Sequence, residues 1–280
     1  MRPGFARRAL RHRSFVAGAA LVTLLLGAAA LSWLWTPWPA TEIDVPRKLA
    51  PPSAAHWLGT DGLGRDIVSL LLVGARGSLA VGLAAVGGGA LAGIALGLLA
   101  AARRGVVDEL VMRSADFAFA FPALLTAIML TAVRGPGLAT AALAIGLFNV
   151  PVFARITRAS ARGVWSRDFV LAARACGQGR LAITLEHVLP NIAPVLIVQA
   201  TTQFALAILA EAALSYLGLG TQPPTPSWGR MLNEAQTLMF QAPWLAWWPG
   251  LAIALSVLGL NLVGDGLRDL LDPRLARGPR

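Results

Sequence analysis

Residues 168–191 read DFVLAARACGQGRLAITLEHVLPN, a charged stretch punctuated by Gly177 and Gly179. Its neighbours decide what it is. Upstream, residues 138–154 carry no charged side chain, and downstream, residues 193–219 carry only Glu211. Both flanks are near the length that an apolar helix needs to cross a bilayer, so the polar stretch between them belongs in water. It reads as a docking element on one face of a membrane protein.

Composition agrees with that setting. Hydrophobic residues make up 56% of the 280-residue chain and charged residues only 14%, against roughly 25% charged in soluble domains. A soluble fold would have to cover a large core with too few charges; a bilayer removes the conflict.

Six uncharged or nearly uncharged runs follow one another, at residues 14–35, 77–102, 117–133, 138–154, 193–219 and 245–264. The first has 22 residues, and at ~1.5 Å per residue it spans the roughly 30 Å hydrocarbon core. The third carries Pro122 and the fourth Pro151, both tolerable in lipid when neighbouring helices satisfy the freed carbonyls. Trp33, Trp35 and Trp38, then Trp244, Trp247 and Trp248, fall where an aromatic belt meets the headgroups. The expected fold is all-α and polytopic, with six transmembrane helices.

Arginine sets the expected orientation. With a cytoplasmic N-terminus, the inside segments are the tail 1–13, the loops near 103–114 and 155–193, and the tail 268–280. These hold 18 of the 24 basic residues, a positive-inside pattern with both termini cytoplasmic. The corresponding division is a first transmembrane helix at 14–35, an extracytoplasmic segment at 36–76, and a five-helix core at 77–267. The net charge of +10 is therefore topological, and because the basic residues are parcelled among spans, nucleic acid is not an expected partner. Arg2, Arg7, Arg8, Arg11 and Arg13 precede an apolar run longer than a usual signal-peptide core, so the first span is expected to stay. The single Cys176 forms no internal disulfide and is expected to face the cytosol.

Inside the spans, Gly89, Gly93 and Gly97 recur four apart and allow another helix to approach closely, in this chain or in a second one. Glu211 is the acid deep within an expected span and so a candidate intramembrane polar site. It counts to about 25 Å from Pro194, near the outer interface, where a structural hydrogen-bonding role is expected ahead of a proton or metal site. Asp265, Asp269 and Asp272 alternate with Arg268 and Arg274 as a solvated, internally paired helix end.

Within the polar stretch, Ala172-Ala173, Gly177 and Leu189-Pro190 reproduce most of the spacing E-A-A-x-x-x-G-x9-I-x-L-P. This resembles the loop of ABC importer permeases. Two further blocks carry the resemblance. Residues 57–79, WLGTDGLGRDIVSLLLVGARGSL, resemble the L-G-T-D-x-x-G-R-D signature of the dipeptide, oligopeptide and nickel branch, with Gly59, Thr60, Asp61, Gly64, Arg65 and Asp66 at its centre and LAPPSAAH (49–56) ahead of it. Residues 210–232 (AEAALSYLGLGTQPPTPSWGRML), 261–275 (NLVGDGLRDLLDPRL) and 116–122 (DFAFAFP) are similar to the same branch.

The resemblance implies a type I ABC importer permease fold. It also implies two ATP-binding subunits, a second permease forming a heterodimer, an extracytoplasmic substrate-binding protein, and peptide, nickel or another small solute as cargo. The coupling loop would comprise Leu171, Ala172, Ala173, Arg174, Gly177, Arg180, Leu189 and Pro190. Small alanines permit close approach, Gly177 permits a turn or a backbone contact, Arg174 and Arg180 face an acidic rim, and Pro190 ends one helix before the next span. Leu171 departs from the motif, which has Glu there, and His187 stands for the usual Ile. In the 57–79 block, Gly62 and Gly64 bracket a turn where an arginine–carboxylate arrangement would fix the entry of span two. Pro223, Pro224 and Pro226 stiffen the last outside loop.

No Gly-x4-Gly-Lys-[Ser/Thr] sequence occurs, so the chain binds no ATP by a P-loop. His12, His56 and His187 lie on different segments, and with one Cys they suggest no metal centre or cofactor. A secondary transporter would need coupling acids near the midplane, for which Glu211 is the sole candidate. An intramembrane enzyme would need a catalytic grouping that is not legible.

Overall fold

A computed structural model describes residues 8–271; Asp272, Arg274 and most of the two tails expected at 1–13 and 268–280 lie outside the described residues. Among the described residues the chain is helical, with one isolated bridge between Thr60 and Asp66. Helix α1 spans Arg13–Leu34, α2 Ile67–Ala102, α3 Val106–Ala120, α4 Ala123–Arg134 and α5 Leu138–Trp165. Two short pieces, α6 (Asp168–Ala175) and α7 (Arg180–Ile183), lead through a π-turn at Thr184–Val188 into α8 (Leu189–Tyr216). Then α9 (Trp228–Ala235) precedes α10 (Trp244–Leu271).

Five stretches are long and apolar enough to cross a membrane: α1, α2, α5, the run Arg180–Tyr216, and α10. The third expected span, at residues 117–133, is instead part of a bent pair of shorter helices. Where residues 117–133 read as a single run, α3 and α4 meet at 84°. Pro122 supplies the reason: it lacks an N–H, and its ring drives Phe121 out of the helical region to φ −94°, ψ 128°. The proline inside α5, Pro151, leaves that helix continuous.

Helix α2 begins ten residues before the expected boundary at Gly77, because Asp66 caps it by accepting from Ser69 N at 2.9 Å. Arg76, which ends the uncharged run in the sequence, stays helical. Its guanidinium lies 4.3 Å from the ring centroid of Trp33 and donates to Ser32 on α1.

The glycine stripe of α2 faces α5 within the same chain. A Cβ on Gly89, Gly93 or Gly97 would lie 2.4–2.6 Å from Asn149 Cβ, Val150 O and Ala154 O respectively. Backbone therefore meets backbone along α2 and α5. A second crossing joins α1 to α10 through Gly18 and Gly259. Three apolar clusters result: one among α1, α2, α8, α9 and α10, one at mid-height among α2, α4, α5 and α8, and one at the end where α2, α5 and α8 meet the 168–191 stretch.

Candidate functional site

The 168–191 stretch is folded, and its inward side is apolar. Val170, Ile183 and Val188 are fully buried against Leu98 and Ala101 of α2 and Ala161, Val164 and Trp165 of α5. Ala173 and Leu189 pack on the same cluster. Between the two short helices Gly177 holds φ +83°. Its N–H donates to Arg174 O and the N–H of Gln178 to Ala173 O, the paired bonds of a glycine-terminated helix. No atom lies within 4 Å of where a Cβ on Gly177 would stand. Of the two readings of this glycine, a turn or a close backbone contact, the chain itself uses the turn. His187 bridges to Gln178 at 3.0 Å and so ties the second half of the stretch to that turn.

The outward side presents the remaining expected residues. Leu171, Ala172, Arg174, Gly177, Arg180 and Pro190 are not buried, and among the described residues neither Arg174 nor Arg180 makes an ion pair. Leu171 is 50% exposed and Leu181 72%. Phe169 and Leu185 are also exposed, so four large apolar side chains of this stretch lie at its surface, as do Arg174 and Arg180. Phe169, Leu181 and Leu185 escape motif reading, which looks for the motif positions alone; the signal was large apolar side chains in an otherwise polar stretch.

Pro190 does not end a helix. The π-turn carries the chain without a break from Arg180 to Tyr216, Leu189 N–H donating to Thr184 O. A wider turn just ahead of the proline absorbs its missing donor and ring, so the helix continues.

Beside this surface a set of ion pairs fastens α3 to α5. Asp108, 7% exposed, accepts from Arg158 Nη2 at 2.8 Å and from Arg162. Arg155 pairs with Asp116 and lies 4.4 Å from the ring centroid of Phe119. In the sequence these charges read only as topological markers.

At the opposite end of α2 the 57–79 block forms a compact knot. Asp61 accepts from Leu63 N and Arg65 N, each at 2.8 Å, and from the Arg65 guanidinium at 2.6 Å. Arg65 also donates to Glu234 of α9 at 2.7 Å. Asp66 holds His56 at 2.9 Å as well as the α2 cap. Thr60 donates to Arg47 O. Gly59 and Gly64 both have positive φ, and a Cβ on either would strike the backbone oxygen of Ala50 or Asp44. All six motif residues thus fix the entry of α2, and Arg65, Asp61 and Asp66 are buried.

Glu211 lies fully buried on α8 among hydroxyl donors. Ser215 donates to it at 2.7 Å, Ser78 of α2 at 3.3 Å and Thr221 at 3.5 Å. The carboxyl group therefore ties α2, α8 and the segment after α8 at a single point. It is far along the chain from the Arg65 knot but on the same side of α2, and the 168–191 surface is at the other end.

A family model described as the binding-protein-dependent transport system inner membrane component matches residues 93–277. The chain is 43% identical over 272 residues to the glutathione transport system permease protein GsiD of Pectobacterium atrosepticum, covering 97% of this chain and 90% of that one. It is 45% identical over 271 residues to the di/tripeptide transport system permease protein DppC of Pseudomonas aeruginosa, covering 94% and 89%. Among solved structures, a chain from inward-facing conformations of the MetNI methionine ABC transporter matches with a TM-score of 0.61 at 18% identity, over 72% of this chain and 97% of that one. That is a likeness of fold. Sequence, family model and fold agree: the chain belongs to the family of binding-protein-dependent transport system inner membrane components, multi-pass transport permeases that work with other subunits and are not themselves catalytic.

Proposed function

We propose that this chain is the permease subunit of an ATP-driven peptide importer in a bacterial inner membrane, forming half of the translocation pathway. Its 168–191 face and both termini lie in the cytoplasm, consistent with the arginine distribution. Two ATP-binding subunits drive it, a second permease completes the pathway, and an extracytoplasmic binding protein delivers cargo at the Arg65 face. Peptide cargo follows the printed names of its relatives, glutathione and di/tripeptide permeases. The observation that carries the coupling role is the α6–Gly177–α7 element: anchored inward by Val170, Ile183 and Val188, it exposes Leu171 and Leu181 as well as unpaired Arg174 and Arg180. Apolar and basic side chains on one exposed stretch fit a groove with an acidic rim on the ATP-binding subunit.

Gly177→Val tests this reading. Left-handed backbone with a branched side chain costs about 1–2 kcal/mol, and the site has open space around it within the chain, so insertion should be normal while the turn reshapes. Uptake of a dipeptide or glutathione by the reconstituted importer should fall severalfold with ATP hydrolysis no longer stimulated by loaded binding protein. Uptake equal to wild type would remove the docking assignment.

A further inference from the structure

Arg76 carries a charge that the chain does not neutralise. Its Nε donates to the buried Ser32 of α1, and its guanidinium stacks on Trp33. Among the described residues no carboxylate pairs with it, and neither Nη donates to an atom of the chain. The side chain is half-buried, yet neither Nη is enclosed. An arginine on a membrane-crossing helix is held where it meets a partner or the headgroup layer, so the two free Nη groups call for an acceptor from outside the chain.

The surroundings place those groups at headgroup depth. Trp33 is the penultimate residue of α1 and 75% exposed; Trp35 and Trp57, with ring centroids 6.3 Å apart, are exposed as well. Exposed indoles at a span end mark the headgroup layer. Of the five long spans α1 is the least enclosed, with 17% of its apolar window buried against 33–44% in the others, so lipid is its neighbour. Leu72, one turn before Arg76 on α2, and Ala28, one turn before Ser32 on α1, both line an open apolar groove of about 270 Å³. Its floor includes Trp228 and Trp248, and it carries no charged side chain.

We propose that Arg76, oriented by Ser32 and Trp33, binds one anionic phospholipid in the leaflet on the side of the Arg65 knot. The phosphodiester oxygens accept from the two Nη groups, a planar fork suited to phosphate, and an acyl chain lies in the groove. Lipid tails are as apolar as leucine, so the groove adds packing while the phosphate contact selects the lipid. A net-anionic lipid such as phosphatidylglycerol neutralises the guanidinium. Phosphatidylethanolamine brings an ammonium of its own, for which no carboxylate paired with Arg76 stands ready.

The test supplies the full-length chain, purified in mild detergent, with an equimolar mixture of phosphatidylglycerol and phosphatidylethanolamine and counts retained lipid by native mass spectrometry. Wild type should keep phosphatidylglycerol over phosphatidylethanolamine by about tenfold, the scale of a charge-assisted hydrogen bond. Arg76→Gln should bring that ratio close to one. Trp33→Leu, a change at an exposed side chain, should lower it about two- to fivefold through the lost cation–π contact. Glycerol 3-phosphate in large excess should leave the lipid in place. A wild-type ratio near one, or the wild-type ratio in both variants, overturns the site. Displacement by glycerol 3-phosphate overturns the lipid assignment in favour of a soluble phosphate ester. If Arg76→Gln yields no folded protein, Trp33→Leu decides alone, and an unchanged ratio there overturns the site.

Discussion

Gly93→Leu should abolish recovery of folded protein from the membrane. The added Cβ alone would lie 2.4 Å from Val150 O, 2.7 Å from Phe153 Cβ and 3.0 Å from Ala154 N. Two of these are backbone atoms of α5, which no rotamer change can move, so the helices must separate. Separation forfeits the contacts at Gly89 and Gly97 and loosens the mid-height cluster around Phe153, which is fully buried. Overpacking alone costs about 1–3 kcal/mol; loss of a helix–helix seam in lipid, where close packing supplies most of the association energy, adds to it. Gly87→Leu is the matched control, since no atom of the chain lies within 4 Å of a Cβ there. Size-exclusion chromatography after mild detergent extraction reads both variants. A monodisperse Gly93→Leu protein at wild-type yield would mean that α2 and α5 are not held by this seam.

Arg65→Met should be the most damaging change on the opposite face. It leaves the Asp61 carboxylate, 7% exposed, without its counter-ion and leaves Glu234 paired only with Arg230 of its own helix. Removing one member of a buried pair costs about 3–5 kcal/mol; the Glu234 side chain is 35% exposed, which places the expected loss at the low end. A fall in the thermal midpoint, with new protease cleavage between residues 36 and 66, would report the opened knot. Adding Asp61→Asn removes the stranded charge and keeps an acceptor for Leu63 N and for the main-chain N–H at position 65, so the double variant should recover part of the loss. If the double variant is no better than the single one, the charge pair is not what holds the knot.

The spans were legible because lipid imposes length and apolarity, and residues 14–35, 138–154 and 245–264 each lie within or almost within a single helix. The bend at Pro122 was not, because a proline in an apolar run is compatible with a kinked span or a broken one, and the choice depends on what packs around it. Residues 168–191 showed their polarity, and a turn as one of two readings of Gly177, yet the inward anchors Val170, Ile183 and Val188 look no different in sequence from the exposed Leu181 and Leu185. The role of Arg65 was partly visible through Asp61, four residues away. Glu234 was not, since 169 positions separate it from Arg65 and nothing local marks the pair.

Helix α2 runs 36 residues without a break, about 54 Å at the standard rise. One end is pinned in the knot by Asp66; the other, at Leu98 and Ala101, forms part of the bed on which the 168–191 stretch rests. The two faces of the subunit are therefore joined by a single stiff rod with no hinge along it. Modularity is lost as a result: a chimera that grafts the outer segment of one relative onto the inner half of another must cut through this rod, and the junction that spares it lies before Asp66, so that the knot's helix travels with the inner half.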